Sequence, residues 1–253
     1  MVAIIGALAI ASLTEMLQSF TATRQAEVSD IVQDFVGAIC GLGMFFTYDP
    51  RAPAKWAHWR QFPRHAIIRL CVIVVLGITL VPIVGWAYAY WDRAGRFPSI
   101  VQFSSDSEMK FVTALDSELQ VVVPPEGWKK STEDTVGQVV FHTQKYPGIR
   151  LDEPYPDWNG YSHFQLDIFS ELSTPQSIGI RIDDNYGKYR YTDVFNKTLT
   201  IFPGLNQIRI PLEEIRLGPV GREMDLSAIQ AVWLFARNPP EEFMLYLDNI
   251  HLE

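Results

Sequence analysis

From Cys71 to Tyr90 the chain reads CVIVVLGITLVPIVGWAYAY, twenty residues without a charge. That is the length an α-helix needs to cross the hydrocarbon of a bilayer. Pro82 would be costly inside a soluble helix, but in a membrane neighbouring helices can satisfy the carbonyl it frees. Trp86, Tyr88, Tyr90 and Trp91 crowd one end, where amphipathic rings favour the lipid–water boundary. A transmembrane helix is therefore expected over 66–91. The run also divides the chain: the residues before it read as membrane-embedded, and those after it as a water-soluble β domain.

Whole-chain composition hides this division, with 48% hydrophobic residues and a formal charge of −8. Residues 1–97 hold eight Lys/Arg and six Asp/Glu, whereas residues 98–253 hold thirteen and twenty-three, a net −10. An acidic second half argues against nucleic acid, whose phosphates demand clustered Lys and Arg. Cys40 and Cys71 both fall in apolar stretches, so the second half has no disulfide. Arg51, Lys55, Arg60, Arg64 and Arg69 precede the spanning helix, against Arg93 and Arg96 after it. The positive-inside rule then makes 49–65 a cytoplasmic loop and puts the C-terminal domain outside, in a multi-pass protein of the cell membrane. That loop is basic, aromatic and proline-rich, suited to anionic headgroups, and His58 and His65 read as interfacial.

The first twenty residues, MVAIIGALAIASLTEMLQSF, lack a basic start and a small-residue cleavage site, which argues against a signal peptide. Glu15 and Gln18 share a helical face, and Asp30, Asp34, Gly37 and Gly41 form one stripe at steps of four, three and four. Gly37 and Gly41 would let another helix approach closely. A carboxylate at membrane depth costs roughly 2.5–3.5 kcal/mol, so Glu15, Asp30 and Asp34 should face protein or water, meeting Gln18 and Arg24. Such a cluster either locks the helices together or recognises a polar headgroup, with Arg24 as the anion contact. Catalysis through Glu15 and Asp30 is a third reading, without a nucleophile motif or metal-ligand spacing to support it.

The spacing Glu15-x-x-Gln18-x-Phe20-x3-Arg24-x4-Ser29-Asp30-x6-Gly37-x3-Gly41 resembles the core of VanZ-like membrane proteins over 1–48. Asp34 departs from it, standing where that family usually carries Asn. The family's earlier helices are also missing, as though the chain began at the third.

Beyond a linker at 92–98 the pattern becomes short alternating strands. Phe164-x-Leu166-x-Ile168, Ile178-x-Ile180-x-Ile182 and Ile208-x-Ile210-x-Leu212 have a period of two. Further strands are expected near 110–115, 119–123, 138–142, 230–236 and 244–252, with turns at Pro203-Gly204 and Asn238-Pro239-Pro240. The fold class is thus α+β: N-terminal transmembrane helices followed by an all-β jelly-roll sandwich over 98–253. The succession Asp157-Trp158-Asn159-Gly160-Tyr161, Ile182-Asp183-Asp184, Pro203-Gly204-x-Asn206, Asp225-Leu226-Ser227 and Leu247-Asp248-Asn249-Ile250 resembles the galactose-binding-like jelly rolls of carbohydrate-binding modules. The likeness is to the group containing the family 11 modules and the complex I intermediate-associated protein 30 domain.

That resemblance implies sugar rings stacked on aromatic faces and hydroxyls held by polar groups. The candidates are Trp158, Tyr161, Tyr186, Tyr189 and Tyr191, with Arg181, Asp183 and Asp184 as polar contacts. The other reading makes Trp158 and Trp233 core and the tyrosines a loop rim. Asp167 and Asp248 are structural hydrogen-bonding residues of such a fold, or ligands of a stabilising calcium; no other cofactor is expected. The function expected is non-enzymatic: an envelope protein anchored in a lipid bilayer, presenting a module for a glycan or lipid-linked saccharide. The alternative is a structural module docking an envelope protein.

Overall fold

The computed structural model describes residues 64–128, 134–185 and 191–253, and Gly37 on its own before them. The chain divides into two compact units, residues 1–86 and 87–253. Glu15, Gln18, Arg24, Asp30 and Asp34, with the VanZ-like spacing they belong to, lie outside the described residues.

Helix α1 runs Arg64–Arg96 with Pro82 inside it, longer at both ends than the hydrophobic run alone predicts. Between Ile73 and Arg96 it is long and apolar enough to cross a membrane by length and composition, with a mean hydropathy of 1.9. Val81, Ile83 and Val84 each stay more than 60% exposed, the reverse of a soluble core helix.

The stretch expected as a linker is instead the end of α1, built into the second unit. Arg96 reaches Asp92 one turn back, the buried carboxylate of Glu108, and Ser105 Oγ at 2.7 Å. Glu108 also accepts the Ser104 N–H at 2.8 Å. The Arg93 guanidinium lies 4.2 Å from the centre of the Phe111 ring, and Tyr90 donates to Glu153 at 2.7 Å. A guanidinium can hold this many acceptors at once because its donors fan out in a plane.

The rest is a sandwich of two antiparallel sheets, as the strand pattern predicts. Its strands are β1 (Ser99–Val101), β2 (Val112–Leu115), β3 (Ser117–Val122), β4 (Val136–Phe141), β5 (Gly148–Asp152), β6 (His163–Ser170), β7 (Gln176–Asp184), β8 (Phe195–Ile201), β9 (Gly204–Pro211), β10 (Ile229–Phe235) and β11 (Phe243–Leu252). Helices α2 (Asp106–Met109) and α3 (Leu212–Arg216) are single turns. One sheet runs β3-β4-β11-β6-β9, with β1 also on β11, and the other runs β2-β5-β10-β7-β8.

Period-two alternation builds the core between them. Ile178, Ile180 and Ile182 of β7 meet Phe164, Leu166 and Ile168 of β6 in one buried cluster. Phe141 and Phe243 stack at 4.8 Å, from strands paired at that position. Each such side chain contributes roughly 1.5–3 kcal/mol by leaving water.

Candidate functional site

Alternation that sends the isoleucines of β7 inward sends Ser177, Gly179, Arg181 and Asp183 to the opposite face. On neighbouring β10, Val232 and Leu234 are core, so Trp233 and Phe235 share that outward face. Register completes the row: Trp233 pairs with Arg181 on one side and Arg150 on the other, while Phe235 pairs with Gly179 and Gly148. A Cβ at Gly179 would lie 2.5 Å from the Phe235 ring, so glycine there makes room for the ring. Tyr146, in the turn before β5, meets Phe235 edge-on at 5.8 Å.

These side chains line a cleft of about 530 Å³, bounded further by Asn196 and Thr198 of β8 and by Arg237. The Arg150 and Arg181 guanidiniums lie 5.3 and 5.6 Å from the centre of the Trp233 ring, a cation–π arrangement fixing its plane. Arg181 donates through Nε to Asp183 at 2.6 Å, and Arg150 pairs with Asp152 at 2.7 Å. Aromatic faces beside amide, hydroxyl and guanidinium groups suit a ligand that has apolar ring faces and polar edges.

Burial raises the Asp183 carboxyl above the usual carboxylate range, against the lowering pull of Arg181 and Arg150. From about pH 4 up to that raised value the unfolded chain has lost this proton while the native one keeps it. Stability should therefore fall with rising pH across that window. Asp183→Asn should remove this share of the slope in thermal unfolding of the full chain; an unchanged slope would refute the assignment.

Of the residues expected to bind sugar, Arg181 lines the cleft and Asp183 holds it from beside. Trp158 requires correction: it is fully buried, stacked on Phe164 at 5.5 Å, with its N–H given to Tyr155 O, and has no free face. Asp184 is corrected likewise. It points inward, fully buried, and takes Arg222 Nη2 at 2.8 Å and the Asp225 N–H at 2.9 Å. Tyr161 packs edge-on against Phe97 at 5.3 Å, away from the cleft lining. Tyr186 and Tyr189 lie outside the described residues, and Tyr191 opens a short 3-10 turn.

Asp167 and Asp248 face each other across β6 and β11. Asp167 takes the Asn249 amide at 3.3 Å and that of Gln207 at 3.5 Å. No group of three or more His, Cys, Asp or Glu side chains suited to a metal occurs among the described residues. Asp167 thus fills the hydrogen-bonding role expected of it.

Sequence reasoning missed Tyr146, Trp233, Phe235 and Arg237. From Ala231 to Phe235 both faces of the strand are apolar, so alternation alone does not single out Trp233 or Phe235.

No protein-family model matches the chain and no curated protein matches it, so the VanZ-like likeness stands on its quoted spacing alone. Among solved structures, an exo-beta-agarase superposes on 61% of this chain at 15% identity with a TM-score of 0.50. The match takes in 25% of that enzyme, so this chain spans about a quarter of its length. A second agarase gives 0.46 at 16% identity, over 61% of this chain and 26% of its own. A family 11 carbohydrate-binding module from Clostridium thermocellum gives 0.44 at 18% identity, over 56% of this chain and 88% of the module. Only the first reaches one half, and what it shares with this chain is a fold.

Proposed function

We infer that the protein is a non-catalytic glycan-binding module of the cell envelope, held at a membrane by α1 and preceded by a VanZ-like segment. The observation that carries this reading is the row Tyr146–Phe235–Trp233 on the outward face of the β2-β5-β10-β7-β8 sheet, with Arg181, Asn196 and Thr198 beside it. Pyranose rings have apolar faces that rest on such aromatics and hydroxyls that bond such edges. The fold shared with part of an exo-beta-agarase supports the same reading. The apolar span of Ile73–Arg96 supports the anchor, and the basic residues before it favour an extracytoplasmic sandwich.

The test uses the full chain in phosphatidylcholine nanodiscs on a glycan array. Binding should appear, and Trp233→Ala or Tyr146→Ala should weaken it about tenfold, the loss of one aromatic platform worth roughly 1–1.5 kcal/mol. A folded chain that captures no saccharide, or one indifferent to both substitutions, would overturn the reading. Protease added to whole cells should cut the sandwich; protection there with cleavage in inverted vesicles would reverse the topology.

A further inference from the structure

The second half of the chain is acidic, yet no carboxylate lines the cleft among the described residues. Its charged lining residues are Arg181, Lys197 and Arg237. Lys197 has to be set aside. Its register partner is the inward Ile180, and its ammonium bonds Glu214 at 2.9 Å beyond the sheet edge.

The other two cations have donors to spare. Arg181 spends its Nε on Asp183, while its two terminal nitrogens donate to no described residue. Arg237 is exposed and forms no ion pair with any described residue. Lys145 stands at the same end, its ammonium 5.4 Å from the centre of the Tyr146 ring, and it too forms no ion pair with a described residue. The backbone fixes this grouping, because the Asn238 N–H donates to Lys145 O at 3.0 Å and the Ala236 N–H to Pro147 O at 2.8 Å. Of the nearby acids Glu241 and Glu242, neither lines the cleft, and Glu242 is held by His142 at 2.6 Å.

Charge is thus sorted along the face. At the Trp233 end each carboxylate is neutralised by an arginine, and at the Tyr146 end positive charge is left over. A guanidinium fork beside an aromatic platform matches a planar carboxylate or a sulfate oxygen edge on a ring lying on that platform. A neutral sugar would cover the same cations without compensating them. Resting on the glycan reading above, we propose that the cleft selects acidic oligosaccharides, bearing a carboxylate or sulfate ester, with Arg237 as the anion contact and Arg181 as its partner. Non-specific attraction would not imitate this, since the domain as a whole repels polyanions.

The full chain in phosphatidylcholine nanodiscs is titrated with an oligogalacturonate hexasaccharide and its carboxyl-reduced form. A carrageenan hexasaccharide and its desulfated form make a second matched pair. In at least one pair the acidic member should bind about tenfold more tightly, with the gap narrowing between about 50 and 300 mM salt. Which pair shows the gap tells carboxylate from sulfate. Arg237→Gln should close the gap between the acidic and neutral members, while Glu242→Gln, outside the lining, should leave both affinities unchanged. Equal binding within both pairs would overturn the proposal and leave the glycan reading standing. Binding by no member of either pair would overturn the acidic preference, and a blank glycan array would remove the glycan reading with it.

Discussion

Arg222→Ala should lower the stability of the sandwich by about 3 kcal/mol, read as a fall of roughly 10 °C in the thermal midpoint of the full chain in micelles. Asp184 ends β7 with no solvent exposure, and Arg222 meets both of its oxygens. The same guanidinium bonds Asp193 and its backbone carbonyl, the latter at 2.8 Å, and so draws the loop before β8 onto the loop before β10. Removing it leaves a buried carboxylate without this counter-charge, which is the costly way to break an ion pair. Because the Arg222 side chain is 26% exposed, water can enter after truncation, so the lower end of the usual range applies. Arg216 also touches two carboxylates, Glu213 and Glu223, but on the surface. Arg216→Ala should leave the midpoint where it is. Equal midpoints for the two variants would show that burial of Asp184 is not what makes Arg222 matter.

Gly148→Ala should be as severe, at about 3 kcal/mol, or should prevent folding altogether. A Cβ at Gly148 would lie 2.0 Å from Leu234 O and 2.6 Å from Phe235 Cα, so the obstacle is backbone that cannot swing aside. Relief would require β5 to separate from β10 beneath the cleft, parting Tyr146 from Phe235. Gly160 provides the contrast. It has φ +87 and open space where a Cβ would go. Gly160→Ala should lose only about 1 kcal/mol, the strain of a left-handed alanine. A Gly148→Ala protein as stable as the Gly160→Ala one would contradict the steric reading of the β5–β10 contact.

Most of the sandwich was legible in the sequence because alternation survives wherever one strand face is buried and the other is wet. The strands at 164–168 and 178–182 appear within β6 and β7, and the third appears in β9 as far as Pro211, while Leu212 opens α3. β5 was missed because Gly-Ile-Arg-Leu-Asp is brief and opens on a strand-weakening residue. β8 was missed because Asn196, Lys197 and Thr198 interrupt its apolar positions with a polar run. The site was less legible than the fold, for a physical reason. Arg181 announces itself by standing opposite three isoleucines, whereas Tyr146 and Arg237 sit in turns about ninety residues apart and meet only through the pairing of Phe235 with Gly148. Trp233 was hidden by a strand apolar on both faces. Trp158 misled in the other direction: an aromatic inside Asp-Trp-Asn-Gly-Tyr reads as a surface platform, yet it serves as core.

Strand β11 sits inside its sheet, bonded to β4, β6 and β1, although it is made after all of them. Until residues 243–252 have been synthesised, β4 and β6 have no neighbour between them, and Phe141 has no Phe243 to stack on. The sandwich therefore cannot be laid down progressively during translation. A chain interrupted anywhere before residue 243 would leave this sheet split, and a chaperone shielding the waiting edges would have to hold β4 and β6 until β11 arrives.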